Sequence, residues 1–301
     1  MKRINILFSS EKDKENFVLQ CEEEFEKRLL SISEKVVKSG ADIILLTGPT
    51  CSGKTTMANK IIHDFTELGK EVNIISIDDF FYERNDSRTV ELDRKIDYDS
   101  IEALDFELLS ECISDLKSRK SFKTPIYDFV SQKRSGYKEY EINDNSVFII
   151  EGIQAVYKEI TPLFEGENYI GIFANVDEDA EVNGVYFNRD DIRLSRRIVR
   201  DRKFRGATAD FSLYLWETVR ENEDKNIYPN KNVCKMQLDS FLGYELFVLK
   251  KYIIEVLKDV DFSSKYYPKA KELKEKFDRL DEISFDYVPK NSLYTEFLGK
   301  K

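Results

Sequence analysis

The chain has 301 residues, 41% of them apolar and 13% aromatic, with 12 glycines and 6 prolines; this composition excludes collagen-like, low-complexity and natively disordered classes. A length near 300 buries roughly three quarters of the unfolded surface, enough for one large α/β domain with appendages. The 57 acidic against 47 basic residues leave a net charge of −10, which disfavours broad binding to nucleic acid, so an anionic ligand has to be held by a local device.

The longest uncharged stretch, Ile43 to Gly53, falls far short of the ~20 apolar residues of a membrane helix. The apolar start of the chain breaks off at Ser9, before it builds a signal-peptide core. Four cysteines, Cys21, Cys51, Cys112 and Cys234, are widely spaced, and His63 is the one histidine. Neither a disulfide framework nor a zinc site is expected, and the chain reads as a cytoplasmic protein.

In chain order, Phe17, Cys21, Phe25, Leu29, Ile32 and Val36 recur at three or four residues and predict an amphipathic helix over Phe17 to Val37, ending near Gly40. Ile43 to Leu46 reads as a buried parallel strand, followed by a glycine-bounded loop from Gly48 to Gly53 and a helix from Lys54 to Leu68. Strands over Val72 to Ile77 and Val147 to Ile150 end in Asp78-Asp79 and Glu151-Gly152, with helices at Ile101 to Leu116 and Arg193 to Phe204. This alternation predicts a doubly wound α/β fold whose ligand lies beyond the carboxyl ends of its strands. Tyr214 and Trp216 read as core, and the charged stretch after about Asp261 reads as a helical appendage through Ala270, Leu273 and Phe277.

The segment Gly48-Pro49-Thr50-Cys51-Ser52-Gly53-Lys54-Thr55 fits GxxxxGK[ST], a phosphate-cradling loop between a strand and a helix. The glycines let backbone N–H groups converge on phosphate oxygens, Lys54 reaches the β and γ phosphates, and Thr55 offers a hydroxyl to magnesium. Cys51 within the loop reads as a space-filling residue. Bound magnesium needs a carboxylate and a phosphoryl acceptor needs an orienting base, for which the strand ends offer Glu151, Asp78 and Asp79. Arg193, Arg196, Arg197 and Arg200 fall at i, i+3, i+4 and i+7, so a helix gathers four guanidinium groups on one stripe. Such a stripe suits a closing lid over triphosphate oxygens.

These motifs together resemble the uridine kinase and phosphoribulokinase family of phosphate-loop kinases. The resemblance runs from about Ile43 to Leu257 and is carried by GPTCSGKTT at Gly48 to Thr56, SIDDFF at Ser76 to Phe81, PIYDFVSQKR at Pro125 to Arg134, IIEGI at Ile149 to Ile153 and RLSRRIVRDRKFRG at Arg193 to Gly206. The nearest likeness is to longer bacterial uridine kinase-like proteins with an N-terminal domain similar to one in threonyl-tRNA synthetases. That domain is expected to be lacking here, with Phe17 to Val37 as its connector and PKNSLYTEF near the end matching their ending.

The resemblance implies a three-layer αβα phosphate-loop fold with a mostly parallel sheet. Residues 1–40 form an N-terminal helical extension, 41–260 a kinase core with a lid around 190–206, and 261–301 a C-terminal helical appendage. It implies ATP-dependent phosphorylation of a nucleoside-type hydroxyl, with ATP and Mg2+ as cofactors. Asp78 is then the base, with Asp79 as second choice, and Lys54 and Arg197 stand with them as catalytic residues. Gly48, Thr50, Ser52, Gly53, Lys54, Thr55, Thr56, Arg193, Arg196 and Arg200 would hold ATP, while Thr55, Glu151 and Asp78 would hold magnesium. Tyr127, Asp97, Gln132 and Phe81 fall to the acceptor.

Gln132 stands where pyrimidine-specific members carry histidine, and Asp97-Tyr98-Asp99-Ser100-Ile101 replaces their HPDAFD segment, so the base preference is open. The alternatives are a kinase of another small metabolite (a sugar phosphate, pantothenate or glycerate) and a nucleotide-binding regulatory or RNA-associated protein without kinase activity. The expected partner is a small molecule, a nucleoside first, with no membrane or nucleic acid; homo-oligomerisation is left open.

Overall fold

The computed structural model describes residues 1–83, 91–92, 95–96, 99–129 and 131–299. Strand β1 (Lys2–Ile4) precedes helix α1 (Glu11–Ser39), which starts well before Phe17 because the Ser10 side chain caps it by accepting from the Asp13 N–H. Strand β2 (Ile43–Thr47) leads through the glycine loop into α2 (Lys54–Glu67) and then β3 (Glu71–Ser76). The expected extension of β3 to Ile77 gives way to a 3-10 turn, Ile77–Phe80, that carries Asp78 and Asp79.

Two-residue strands β4 (Glu91–Leu92) and β5 (Lys95–Ile96) pair antiparallel. The helix expected over Ile101 to Leu116 is two pieces, a 3-10 turn at Ile101–Ala103 and α3 (Phe106–Lys117). Leu104 between them bridges to Phe81, and Asp105 caps α3 by accepting from the Leu108 N–H. Strands β6 (Phe122–Asp128) and β7 (Lys133–Tyr140) form a hairpin. They are followed by β8 (Ser146–Glu151), β9 (Tyr169–Asn175), β10 (Ala180–Val182) and β11 (Val185–Phe187). Helix α4 (Arg189–Arg205) starts ahead of Arg193 because Asn188 caps it; α5 (Ala209–Asn222), β12 (Cys234–Asp239), α6 (Glu245–Leu257), α7 (Tyr267–Asp278) and the single turn α8 (Thr295–Leu298) complete the chain.

Five strands form one parallel sheet in the order β12-β9-β2-β8-β3, and every residue of the central β2 and β8 is buried. Helices cover both faces, which is the three-layer αβα arrangement of a phosphate-loop fold. A separate three-stranded sheet joins β1 to β10 in parallel and β10 to β11 antiparallel.

On one face a single apolar core unites Phe25 of α1, Ile44 of β2 and Ile61 of α2 with Leu273, Phe277, Leu293, Tyr294 and Phe297. The segments expected as an N-terminal extension and a C-terminal appendage thus build a wall of this core, since their apolar stripes have no other place to be buried. Asp191 of α4 accepts from Lys269 and Lys276 of α7 at 2.6 and 2.7 Å, fastening that wall. Tyr214, expected in the core, is 41% exposed, whereas Trp216 is partly buried with the Arg193 guanidinium 5.2 Å above its ring. Among the described residues no helix is long and apolar enough to cross a membrane.

Candidate active site

Register brings the site together. Glu151 at the end of β8 lies opposite Leu46 of β2 on one side and Ser76 of β3 on the other. The glycine loop after Thr47, the Asp78-Asp79 turn after Ser76 and Glu151 therefore meet at the carboxyl edge of the sheet.

The loop is held tightly. A Cβ on Gly48 would lie 1.9 Å from the Ala174 carbonyl oxygen of β9, and one on Gly53, whose φ is +86°, would lie 2.6 Å from Leu293 Cδ1. The Ser52 N–H and the Lys54 Nζ both donate to the Pro49 carbonyl, at 3.3 and 3.2 Å. The first bond of α2's own ladder runs from the Met57 N–H to the Gly53 carbonyl at 3.0 Å, so the preceding amides of the helix are left for other acceptors. Among the described residues Ser52 Oγ is buried with no hydrogen-bond partner, and Thr55 is exposed at the mouth. A phosphate group suits this arrangement of donors.

Lys54, Asp78 and Glu151 interact electrostatically with one another. Burial pushes the Glu151 carboxyl up to about 8, with the Lys54 ammonium pulling it down and Asp78 pushing it further up. Burial likewise raises Asp78, again opposed by Lys54. Among the described residues Asp78 accepts no hydrogen bond, whereas Asp79 Oδ1 accepts from the Tyr127 N–H at 2.9 Å. The two neighbouring aspartates thus differ: Asp78 faces the loop lysine and Asp79 ties its turn to β6. Among the described residues no cluster of three or more His, Cys, Asp or Glu is placed to hold a metal. The Thr55 hydroxyl with Glu151 and Asp78 offers only oxygen ligands, the kind magnesium takes when water and phosphate oxygens complete its shell.

The family model for Phosphoribulokinase / Uridine kinase matches residues 43–241. The chain belongs to that family. A uridine kinase from Ureaplasma parvum serovar 3 is 30% identical over 190 residues, 63% of this chain and 83% of that protein. One from Lactobacillus helveticus is 33% identical over 191 residues, 63% of this chain and 82% of that protein. Among solved structures, that of a possible uridine kinase from Bacillus stearothermophilus is 21% identical, covers 50% of this chain and 80% of that one, and has a TM-score of 0.40. The chain is therefore a phosphate-loop kinase by family.

Within this kinase the arginines of α4 do not form one open stripe. Arg193 and Arg196 are wholly buried behind the glycine loop. Arg193 donates to the Thr50 carbonyl at 3.2 Å and pairs with Glu223. Arg196 donates to the Cys51 carbonyl at 3.1 Å, to Ser240, and to Glu245 at 2.5 Å. Arg197 comes within 3.5 Å of the Thr50 hydroxyl, and Arg200 lies against Asp201 at 2.7 Å. Asp201 is the shared partner of Arg197, Arg200 and Arg205, and the Arg205 charge also acts on Asp78. The charges of Arg193 and Arg196 are balanced by the buried glutamates Glu223 and Glu245.

The structure groups Gly48, Thr50, Ser52, Gly53, Lys54, Thr55 and Thr56 with Asp78 and Glu151. On the far side of Asp79, the rings of Phe81, Tyr127 and Phe129 meet edge to face with centroids 5.1 to 6.1 Å apart. Phe81 and Tyr127 are buried while Phe129 is 52% exposed. Gln132 sits in the turn entering β7 with a positive φ of 55°. Asp97 lies outside the described residues. Glu223 and Glu245 lie outside the quoted motifs, and Glu296, though within PKNSLYTEF, carries no role there; their partners Arg193, Arg196 and Thr56 stand 30, 49 and 240 residues away.

Proposed function

We propose that this protein is a magnesium- and ATP-dependent kinase that phosphorylates a hydroxyl of a small molecule, with the 5′-hydroxyl of a nucleoside as the acceptor. The observation that carries this reading is the convergence of Lys54, Asp78 and Glu151 at the mouth of the glycine loop. Relatives named uridine kinase at about 30% identity support the acceptor class.

In this reading the loop amides and Lys54 bind the β and γ phosphates, and Asp78 accepts a hydrogen bond from the acceptor hydroxyl and receives its proton as the γ-phosphoryl moves. Magnesium, when bound, neutralises charge on the phosphate oxygens, with Thr55 and Glu151 to hold it. Arg197 and Arg205 bear charge that develops on the transferring group, while Arg193 and Arg196 keep the loop backbone in place. Tyr127 and Phe81 offer the acceptor an aromatic wall, and Gln132 offers an amide that both donates and accepts.

The test is ADP release with ATP and magnesium over a panel of nucleosides, sugars and sugar phosphates, with Asp78→Asn as the blank. Turnover with a nucleoside that vanishes in Asp78→Asn is the expected result. Tight ATP binding with no turnover on any acceptor would replace this reading with a regulatory nucleotide-binding one.

A further inference from the structure

The anion-binding donors at the start of α2 already have an acceptor. Thr56, its third residue, donates to the same oxygen of Glu296 twice, from its N–H at 3.3 Å and from its hydroxyl at 2.9 Å. Glu296 comes from α8, 240 residues further along the chain. The N–H groups of a helix's first turn have no partner in the helix itself, and in a phosphate loop they are what the nucleotide's phosphates take up. A carboxylate and a phosphate cannot both take one N–H and one hydroxyl at these distances, and their like charges repel.

The segment that carries Glu296 is firmly seated. Leu293 lies against Gly53, Tyr294 donates from its hydroxyl to the Glu245 carbonyl at 3.3 Å, and the Phe297 ring stands 5.0 Å from the Arg196 guanidinium. Leu293, Tyr294, Phe297 and Leu298 are fully buried, whereas Glu296 between them is only half-buried. The side chain can therefore swing off Thr56 while its backbone stays docked. The Glu296 carboxylate also acts on Glu151, helping to push its carboxyl up.

Building on the kinase reading above, we infer that Glu296 is an internal competitor of the nucleotide: its carboxylate holds the phosphate-binding donors of Thr56 and must leave them when the phosphates enter, so the C-terminal segment sets the apparent affinity for ATP. The apparent dissociation constant is the intrinsic one divided by the fraction of molecules whose site is open. Removing the charge of Glu296 lowers it.

The experiment is calorimetric titration of the full chain, with magnesium, using a non-hydrolysable ATP analogue and, separately, inorganic tripolyphosphate. Wild type is compared with Glu296→Gln, which keeps shape and loses charge, and with Glu296→Ala; thermal melts establish that each variant is folded. Dissociation constants roughly tenfold lower in both variants, for both probes, are expected from loss of a charged acceptor. Wild-type binding that is unchanged or weakened in the folded variants overturns the competition and leaves the kinase reading standing. Absence of binding by wild type and variants alike overturns both.

Discussion

Arg196 of α4 reaches the Cys51 carbonyl at 3.1 Å, so a buried guanidinium holds the backbone of the glycine loop. The same guanidinium pairs with Glu245, and both side chains are fully buried. Removing one member leaves an uncompensated buried charge, which costs about 3–5 kcal/mol. Arg196→Met should lower the melting temperature strongly, and Arg196→Met with Glu245→Leu should recover much of that loss. Nucleotide affinity should remain impaired in the double variant, because the Cys51 carbonyl has lost its anchor. Full recovery of both stability and affinity would reduce Arg196 to a packing residue.

Asp78 and Asp79 should separate by readout. Asp78→Asn removes the proposed base and a carboxylate that burial disfavours, so kcat should fall at least about 10²-fold with stability unchanged or slightly higher. Asp79→Ala removes the acceptor of the Tyr127 N–H, which should destabilise the protein by about 1 kcal/mol and raise the acceptor KM more than it lowers kcat. A steady-state comparison of the two variants beside their melting curves checks this, and the reverse pattern would move the base to Asp79.

The difference between what could and could not be read from the chain follows the range of the interactions. Gly48, Gly53 and Lys54 are fixed by spacing within one loop, and the carboxylates announce themselves by ending apolar runs, so this part of the site was legible. The arginine spacing on α4 was legible too, but not which way it faces, because that depends on Glu223 and Glu245, 30 and 49 residues away. An i, i+3, i+4 stripe looks the same whether it meets a ligand or buried glutamates. The charged C-terminal stretch read as an appendage because its apolar positions are sparse. Their burial against Gly53 and Arg196 depends on contacts that no local pattern carries.

The carboxylate cluster gives the protein a pH dependence of definite sign. Burial raises Asp78 and Glu151 in the fold, Glu151 to about 8, above the roughly 4 of unfolded carboxylates. Stability from these groups is therefore complete below about pH 4 and is lost as the pH rises through the folded value. Without added ligand, the melting temperature should fall between about pH 5 and 8, and Glu151→Gln should flatten that fall. Binding of magnesium with nucleotide favours the ionised carboxylates and should release protons, seen near pH 7 as a binding heat that varies with the ionisation enthalpy of the buffer. A buffer-independent heat in wild type would contradict the raised carboxyls.

Gly53 and Leu293 offer a test of how closely the C-terminal segment is fitted to the loop. In Gly53→Ala the new methyl would meet Leu293 Cδ1 at 2.6 Å and also force a side chain onto a backbone with φ of +86°. Two penalties of different origin are combined, and Leu293→Ala in the same chain relieves only the steric one. Gly53→Ala should therefore be destabilised and bind nucleotide poorly. The double variant should melt higher than the sum of the single losses predicts, because the two sites share one contact. Its affinity should stay low, since the left-handed backbone at position 53 is what turns the loop into α2 and Ala still resists it. Additive losses in the melting curves would mean that the two residues do not meet in solution as they do here.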